Sequence, residues 1–243
     1  MTAAVIPCFN ESPTIGRLVS QLRQHLDPIV VVDDGSTDET AFKARNAGAV
    51  VLRHDRNRGK GAALKTGLSH LHNLGFEWAV TLDGDGQHDP ADVPALLQCA
   101  ERTGARLVIG NRMGNAEAMP WVRRFVNRWM SKRLSQFTGR ELPDTQSGFR
   151  LIHLQTWANL RLSAQRFEVE SEMLLAFLAA AFPVKFVLVR TIPGSRKSRI
   201  RPCADSVRWW QWWWTMKHSC THTTDALIRA RPCTDAAVKV RVV

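Results

Sequence analysis

The chain has 243 residues and is 44% hydrophobic, enough for one large α/β domain or two small ones and too apolar for a disordered chain. A formal charge of +11 and a pI near 10.2 point to an anionic partner: nucleic acid, anionic lipid or a phosphorylated substrate. Five scattered cysteines with no C-x-x-C pair argue against a disulfide framework, and the longest apolar run, 173–182, is about half of the ~20 residues a membrane span needs.

Ala3 to Ile6 reads as a first strand, ending at Pro7-Cys8-Phe9-Asn10-Glu11. Pro7, Asn10 and Glu11 interrupt the apolar run, so no signal peptide is expected. Ser12 is the expected N-cap of a helix with Pro13 at its first position and Ile15, Val19, Leu22 and Leu26 on its buried face. Ile29 to Val32 is wholly β-branched, as in parallel strands buried on both faces. It ends on Asp33-Asp34-Gly35-Ser36, where Ser36 and Glu39 spell a capping box. Ala49 to Leu52 is a third strand, ending near Asp55 and Asn57. Arg58-Gly59-Lys60-Gly61 opens a helix with Leu64, Leu68 and Leu71 on one face and Gly75 as its C-cap. Trp78 to Leu82 is a buried strand that runs into Asp83-Gly84-Asp85-Gly86. Asp89-Pro90 starts a helix through Glu101, and Leu107 to Ile109 is a fifth strand ending at Gly110-Asn111-Arg112.

This alternation predicts a mostly parallel sheet covered on both faces. Asn10/Glu11, Asp33/Asp34, Asp55/Asn57, Asp83/Asp85 and Asn111/Arg112 each follow a strand, so all five clusters fall on one sheet edge. A turn or a helix cap accounts for any one of them; together they mark a ligand crevice. Asp83 and Asp85, one glycine apart, repel unless a cation lies between them, and oxygen-only ligands select Mg²⁺ or Mn²⁺.

The second half is less regular. Pro120 to Phe137 reads as a basic amphipathic helix with Arg123, Arg124, Arg128, Lys132 and Arg133. A polar turn, Asp144 to Arg150, leads into an apolar segment. Glu168, Glu170 and Glu172 precede a helix from Met173 to Ala181, and Val184 to Val189 reads as a strand. Ser195 to Arg201 is a basic loop. Trp209, Trp210, Trp212, Trp213 and Trp214 then crowd six positions, which suits a membrane interface beside basic residues. His218-x-Cys220-x-His222 reads as an incidental polar tail rather than a metal site.

Neither a Walker motif nor a G-x-G-x-x-G turn is present, and no Ser/His/Asp order stands out. A carboxylate-bound metal with basic residues downstream suits a nucleoside-diphosphate substrate, whose leaving group the metal stabilises. Asp33 and Asp34 could accept hydrogen bonds from base or ribose, and arginines could take phosphate oxygens bidentately.

Pro7–Glu11, Val31–Asp38, Asn57–Gly61, Asp83–Pro90, Gly110–Arg112 and Gln146–Arg150 form an ordered set that resembles family-2 glycosyltransferases. The closest likeness is to the branch of dolichol-phosphate mannose synthase and bacterial polyprenyl-phosphate glycosyltransferases. It runs from residue 3 to about 210. The resemblance implies a GT-A (Rossmann-like) three-layer αβα catalytic domain over 1–204, followed by a basic, Trp-rich extension at 205–243. It implies a nucleotide-sugar donor, a divalent metal and inversion at the anomeric carbon. Asp83, Asp85 and Gln87 would hold the metal, and Asp85, Arg112, Arg124 and Asp144 are the catalytic candidates. Pro7, Phe9, Glu11, Asp33, Asp34, Lys60, Asp83 and Lys197 would bind the nucleotide sugar. Arg112, Arg123, Arg124 and Asn127 would meet the acceptor phosphate. Members often carry tyrosine at the position of Phe9 and near Pro193; this chain has no tyrosine.

The expected partners are a nucleoside-diphosphate sugar, a polyprenyl phosphate and the cytoplasmic face of a membrane, bound peripherally. An alternative is transfer to a sugar hydroxyl, which needs a general base, and Asp144 is the candidate. A nucleic-acid-binding protein is the reading from another class; no RRM, KH, zinc-finger or helix-turn-helix pattern supports it.

Overall fold

The computed structural model describes residues 1–114, 119–164, 166, 168–192 and 209–215. Its strands are β1 (Thr2–Cys8), β2 (Ile29–Asp33), β3 (Val50–Arg53), β4 (Trp78–Thr81), β5 (Leu107–Asn111), β6 (Arg150–His153) and β7 (Val184–Leu188). The helices are α1 (Ile15–Leu22), α2 (Thr40–Asn46), α3 (Lys60–Asn73), α4 (Val93–Thr103), α5 (Trp121–Thr138), α6 (Leu154–Ala158) and α7 (Val169–Ala179). Residues 209–215 are also helical.

The seven strands form one sheet in the order β3-β2-β1-β4-β6-β5-β7. Side chains alternate across it, because successive Cβ atoms leave a strand on opposite faces. Ala3 and Val5 of β1, with Val30 and Val32 of β2, join a core under α3, α5 and α7. Ala4 and Ile6, with Ile29 and Val31, join a second core under α1 and α4. Two apolar faces require two covering layers, which gives the expected αβα sandwich.

The chain winds β1, β2, β3 in one direction, then crosses β1 to place β4 on its other side. That reversal opens a crevice outside the carboxyl ends of β1 and β4. Phe9–Glu11 and Asp83–Asp85 follow those two ends.

One strand breaks the parallel rule. β6, read from sequence only as an apolar segment, runs antiparallel between β4 and β5, with Arg150 opposite both Thr81 and Ile109. Its first residue therefore lies at the crevice edge, and the turn before it is delivered to the site.

Two expected caps do not form. Thr14, not Ser12, precedes α1, so Pro13 lies outside the helix; the Thr14 hydroxyl donates to the Gly84 carbonyl at 2.6 Å instead. The Ser36/Glu39 box is absent because Ser36 Oγ accepts from the Asn10 backbone N–H at 2.8 Å and Asp38 accepts from Thr40 N. Both residues tie loops of the crevice together rather than ending a helix.

The tryptophans divide by helical face. Trp209 and Trp213, four apart, are 2% and 6% exposed and stack on each other 5.7 Å apart. They pack on Trp129 and Phe137 of α5, and Trp209 Nε1 donates to Ser171 Oγ at 2.9 Å. Trp210 and Trp214, also four apart, are exposed. The cluster read as membrane-facing is thus half core, and what it covers is α5 and α7. The expected boundary between 204 and 205, the loop 195–201 with Lys197, Pro193 and the tail with His218, Cys220 and His222 lie outside the described residues.

Candidate active site

Gly84 sets the geometry of the carboxylate turn. A Cβ on it would stand 2.6 Å from Cys8 Sγ and 3.3 Å from Glu11 Cγ, so only glycine lets the turn close onto the end of β1. From the other side, the Thr81 hydroxyl donates to the Gly148 carbonyl at 2.8 Å. A Cβ on Gly148 would lie 2.5 Å from Asp83 Oδ1. Asp83 is thus enclosed by β1, by the 144–149 turn and by α3.

Lys60, the first residue of α3, places its ammonium 2.5 Å from Asp83 Oδ1 and 2.5 Å from Glu170 Oε1. His88 Nε2 lies 3.6 Å from the other Asp83 oxygen. Burial opposes charge on Asp83, yet the Lys60 ammonium and the His88 hydrogen bond outweigh it and hold the carboxyl well below the usual range. Burial likewise opposes charge on Lys60, but Asp83 and Glu170 together raise its pKa above the ordinary lysine value. Glu170 was not picked out as a site residue from sequence. Three glutamates at alternate positions carry no period, but Glu170 shares a helical face with Met173, Leu174 and Phe177, all buried. A carboxylate on an apolar helix face was the available signal.

Asp85 is half-buried, and its Oδ1 accepts from the Gln87 backbone N–H at 3.1 Å. Gln87 Oε1 accepts from Arg123 at 2.9 Å. Asp83, Asp85 and Gln87 therefore offer oxygen donors only. Among the described residues no group of three His, Cys, Asp or Glu gathers around one point. That open set fits Mg²⁺ or Mn²⁺, which takes one or two carboxylates and leaves its remaining positions to water and phosphate oxygens. It fits poorly with a closed structural zinc site.

The paired carboxylates after β2 take different protein partners. Asp34 is engaged with the protein itself: Oδ1 accepts from His54 Nδ1 at 2.7 Å and Arg58 N at 2.9 Å, and Oδ2 accepts from Gly59 N at 2.8 Å. It staples the 54–59 loop and the start of α3 to β2. Asp33 Oδ1 accepts from Ser36 N at 2.9 Å, and Arg53 Nε lies 3.3 Å from its Oδ2. That Oδ2 is buried without a hydrogen bond, so Asp33 is the member of the pair still able to accept one. Pro7 is buried in β1, whereas Phe9 and Glu11 are half-buried at the crevice.

Arg112 and Asp144 form a closed bidentate pair. Arg112 Nε lies 2.8 Å from Asp144 Oδ2 and its NH2 3.0 Å from Oδ1, and the Arg112 backbone N–H also donates to Oδ2. Both side chains are buried. Burial would raise the Asp144 pKa, but the guanidinium lowers it. With both oxygens occupied and its pKa depressed, Asp144 lacks the geometry of a general base. It positions Arg112, whose pairing with Asp144 uses Nε and NH2 and leaves NH1 as a further donor.

Of the other α5 candidates, Arg123 points to Gln87 and so to the carboxylate turn. Arg124 is half-buried beside it. Asn127 is buried, its amide on Met119 Sδ at 3.8 Å. Arg150 closes the Gln146–Arg150 motif and opens β6. It donates to the carbonyls of Ser147, Thr145 and Glu170, latching the 144–149 turn to α7. Burial pushes its pKa down to about 10. The strip after β7 is tied in as well: Thr191 bridges His88, and Ile192 N donates to the Gln87 carbonyl.

The family model described as Glycosyl transferase family 2 matches residues 3–156. The UDP-N-acetylglucosamine–dolichyl-phosphate N-acetylglucosaminyltransferase of Methanococcus voltae is 31% identical over 211 residues, spanning 77% of this chain and 84% of that protein. The dolichol-phosphate mannosyltransferase of Pyrococcus furiosus is 28% identical over 186 residues, 71% of this chain and 52% of that protein. Among solved structures, glucosyl-3-phosphoglycerate synthase from Mycobacterium tuberculosis, in complex with Mn²⁺, UDP and glucosyl-3-phosphoglycerate, superposes with a TM-score of 0.67 at 24% identity. The match covers 86% of this chain and 76% of that one, and it establishes a shared fold.

Proposed function

The chain belongs to glycosyl transferase family 2, and we propose that it moves a sugar from a nucleoside-diphosphate sugar to a polyprenyl phosphate, with inversion at the anomeric carbon. The observation that carries this reading is the Asp83–Asp85 turn at the topological switch, with Lys60 at its back and Arg123 reaching its Gln87. Relatives named for dolichyl-phosphate acceptors support it.

Asp83, Asp85 and Gln87 would hold Mg²⁺ or Mn²⁺, which when bound neutralises the diphosphate leaving group. The buried Asp33 Oδ2, ion-paired with Arg53 but without a hydrogen bond, would accept from an N–H of the base, and Phe9 would stack on the ring. Lys197 would close on the diphosphate from the basic loop. A phosphate monoester, with a second pKa of about 6, is largely dianionic at pH 7 and attacks without surrendering a proton. A sugar hydroxyl would need a base, and the pairing of both Asp144 oxygens with Arg112 supports the lipid-phosphate reading over it. Arg123 and Arg124 would screen the acceptor from the diphosphate.

No helix of the described residues is long and apolar enough to cross a membrane. Peripheral contact with the cytoplasmic face is supported by α5, whose Trp121 and Phe125 are 74% and 67% exposed beside Arg124 and Arg128. The test is a screen of UDP- and GDP-sugars with a polyprenyl phosphate as acceptor, with and without EDTA, and with an oligosaccharide acceptor in parallel. Metal-dependent transfer to the lipid phosphate is expected. Transfer only to the glycan hydroxyl would overturn the acceptor class, and turnover unaffected by EDTA would overturn the metal.

A further inference from the structure

We propose that Glu170 reads the donor sugar, accepting hydrogen bonds from its hydroxyls. This rests on the donor reading above and goes beyond it by naming the residue that would set which sugar is taken.

Glu170 is 4% exposed in the first turn of α7. Of its two carboxylate oxygens, Oε1 meets the Lys60 ammonium, whereas Oε2 is buried with no hydrogen-bond partner among the described residues. The Lys60 ammonium, 2.5 Å from Oε1, balances its charge. Charge balance alone leaves acceptor capacity unused: a carboxylate has about four lone-pair sites. Burying Oε2 without a donor is costly, so a ligand that supplies one is favoured. The other buried ionic groups nearby show the contrast. Arg150 meets three carbonyls, and Asp144 is saturated by Arg112.

Position argues in the same direction. Lys60 spans Glu170 and Asp83, so Glu170 lies one side chain away from the carboxylate turn that would hold the diphosphate. A sugar joined to that diphosphate reaches only a few ångströms beyond it. Its hydroxyls are O–H donors, and an adjacent pair matches the two oxygens of one carboxylate. The competing account is that Glu170 only holds Lys60 in place. That account predicts a loss of diphosphate binding with or without a sugar attached.

The two accounts separate in a binding experiment with Mn²⁺ present. Wild type, Glu170→Gln and Glu170→Asp are titrated with UDP, GDP, UDP-glucose, UDP-N-acetylglucosamine and GDP-mannose. The tightest donor is then compared with its single-deoxy analogues. A hydrogen bond to a charged group is worth about tenfold or more in affinity, so at least one deoxy analogue should weaken that much on wild type. In Glu170→Gln that penalty should fall below about threefold, while the sugar-free nucleotide binds within about threefold of wild type. Glu170→Asp keeps the charge beside Lys60 but withdraws the carboxylate by one methylene. It should give the same pattern, and it decides the matter if the Gln variant does not fold. Unchanged deoxy penalties in the folded variants would overturn the proposal. So would an equal loss of nucleotide and nucleotide sugar. A folded wild type that binds none of the nucleotide sugars would defeat the donor reading itself, an outcome distinct from either.

Discussion

Gly148→Ala adds a single methyl group, and the structure says where it goes. The new Cβ would stand 2.5 Å from Asp83 Oδ1 and 2.9 Å from both Asp83 Cγ and Oδ2. Ordinary contact begins near 3.4 Å, so the carboxylate must retreat by roughly 1 Å. It has little room to do so, since Lys60 Nζ sits 2.5 Å from one oxygen and His88 Nε2 3.6 Å from the other. Gly148 does not have a positive φ, so alanine carries no backbone penalty there. Overpacking costs about 1–3 kcal/mol. Loss of chain entropy in the unfolded state offsets about 0.4–1 kcal/mol of it. The net loss of stability is thus about 1–2 kcal/mol. Activity should suffer far more, because a ~1 Å error in a binding group can cost about a hundredfold. The assay pairs urea unfolding with Mn²⁺ affinity and donor turnover. Gly16→Ala is the control: its Cβ meets Lys43 O at 3.7 Å and Lys43 Cβ at 3.9 Å, ordinary contacts both, and it should leave turnover unchanged. If Gly148→Ala turns over within threefold of wild type, Asp83 does not hold what the carboxylate turn is built to hold.

Asp144→Asn leaves the Arg112 cation buried with a weaker partner and should cost about 3 kcal/mol in urea unfolding. The shape of its rate–pH profile should match wild type; loss of a basic limb would restore Asp144 as a base. Asp83 and Asp144 both titrate lower in the folded chain than in the unfolded one, where the value is about 3.9. The stability they contribute is present in full above that value and lost as pH falls through their folded values, so unfolding free energy should decline below about pH 4. Wild type should be compared with Asp144→Asn, which should show the shallower decline. Trp209→Ala should cost about 3–5 kcal/mol, whereas Trp210→Ala should stay within about 1 kcal/mol. Trp121→Ser with Phe125→Ser should reduce co-sedimentation with anionic liposomes at an unchanged melting temperature; full sedimentation would remove α5 as the contact.

The parallel half of the fold was legible because its signals are local. β1, β2 and β4 are short apolar runs that stop on polar residues, and α1 and α3 repeat leucines and isoleucines at helical spacing. β6 was not legible. It has four residues, begins with an arginine and borrows its partners from β4 and β5, which lie about forty or more residues upstream. The capping motifs failed for a related reason: the Ser36 hydroxyl and the Thr14 hydroxyl have long-range partners that outcompete the local ones. The motif residues come together at one sheet edge, but the partners that each side chain takes are not written in the motif. Asp33 and Asp34 are neighbours in sequence, but strand alternation turns them apart, one to Arg53 and the other to His54 and the α3 start. Five tryptophans in six positions cannot share one helix face, and the sequence does not say which of them turn inward. Taken at spacing four, 209/213 and 210/214 are two different faces.

Charge balance connects the two halves of the site. Asp83, Asp85 and Glu170 bring three negative charges to the crevice, and Lys60 and Arg123 return two, while Arg112 and Asp144 cancel each other. The pocket is therefore close to neutral, slightly acidic, and poorly suited to a bare diphosphate. A divalent cation at Asp83 and Asp85 reverses that sign, which is why the metal and the nucleotide should bind in sequence or together. An anionic acceptor adds about two further charges near pH 7, and nothing inside the Asp83–Glu170 network remains to meet them. The cations left over are on α5, and that helix also carries the exposed Trp121 and Phe125. A lipid phosphate arriving from a membrane would meet the aromatic end of α5 and its arginines on one element.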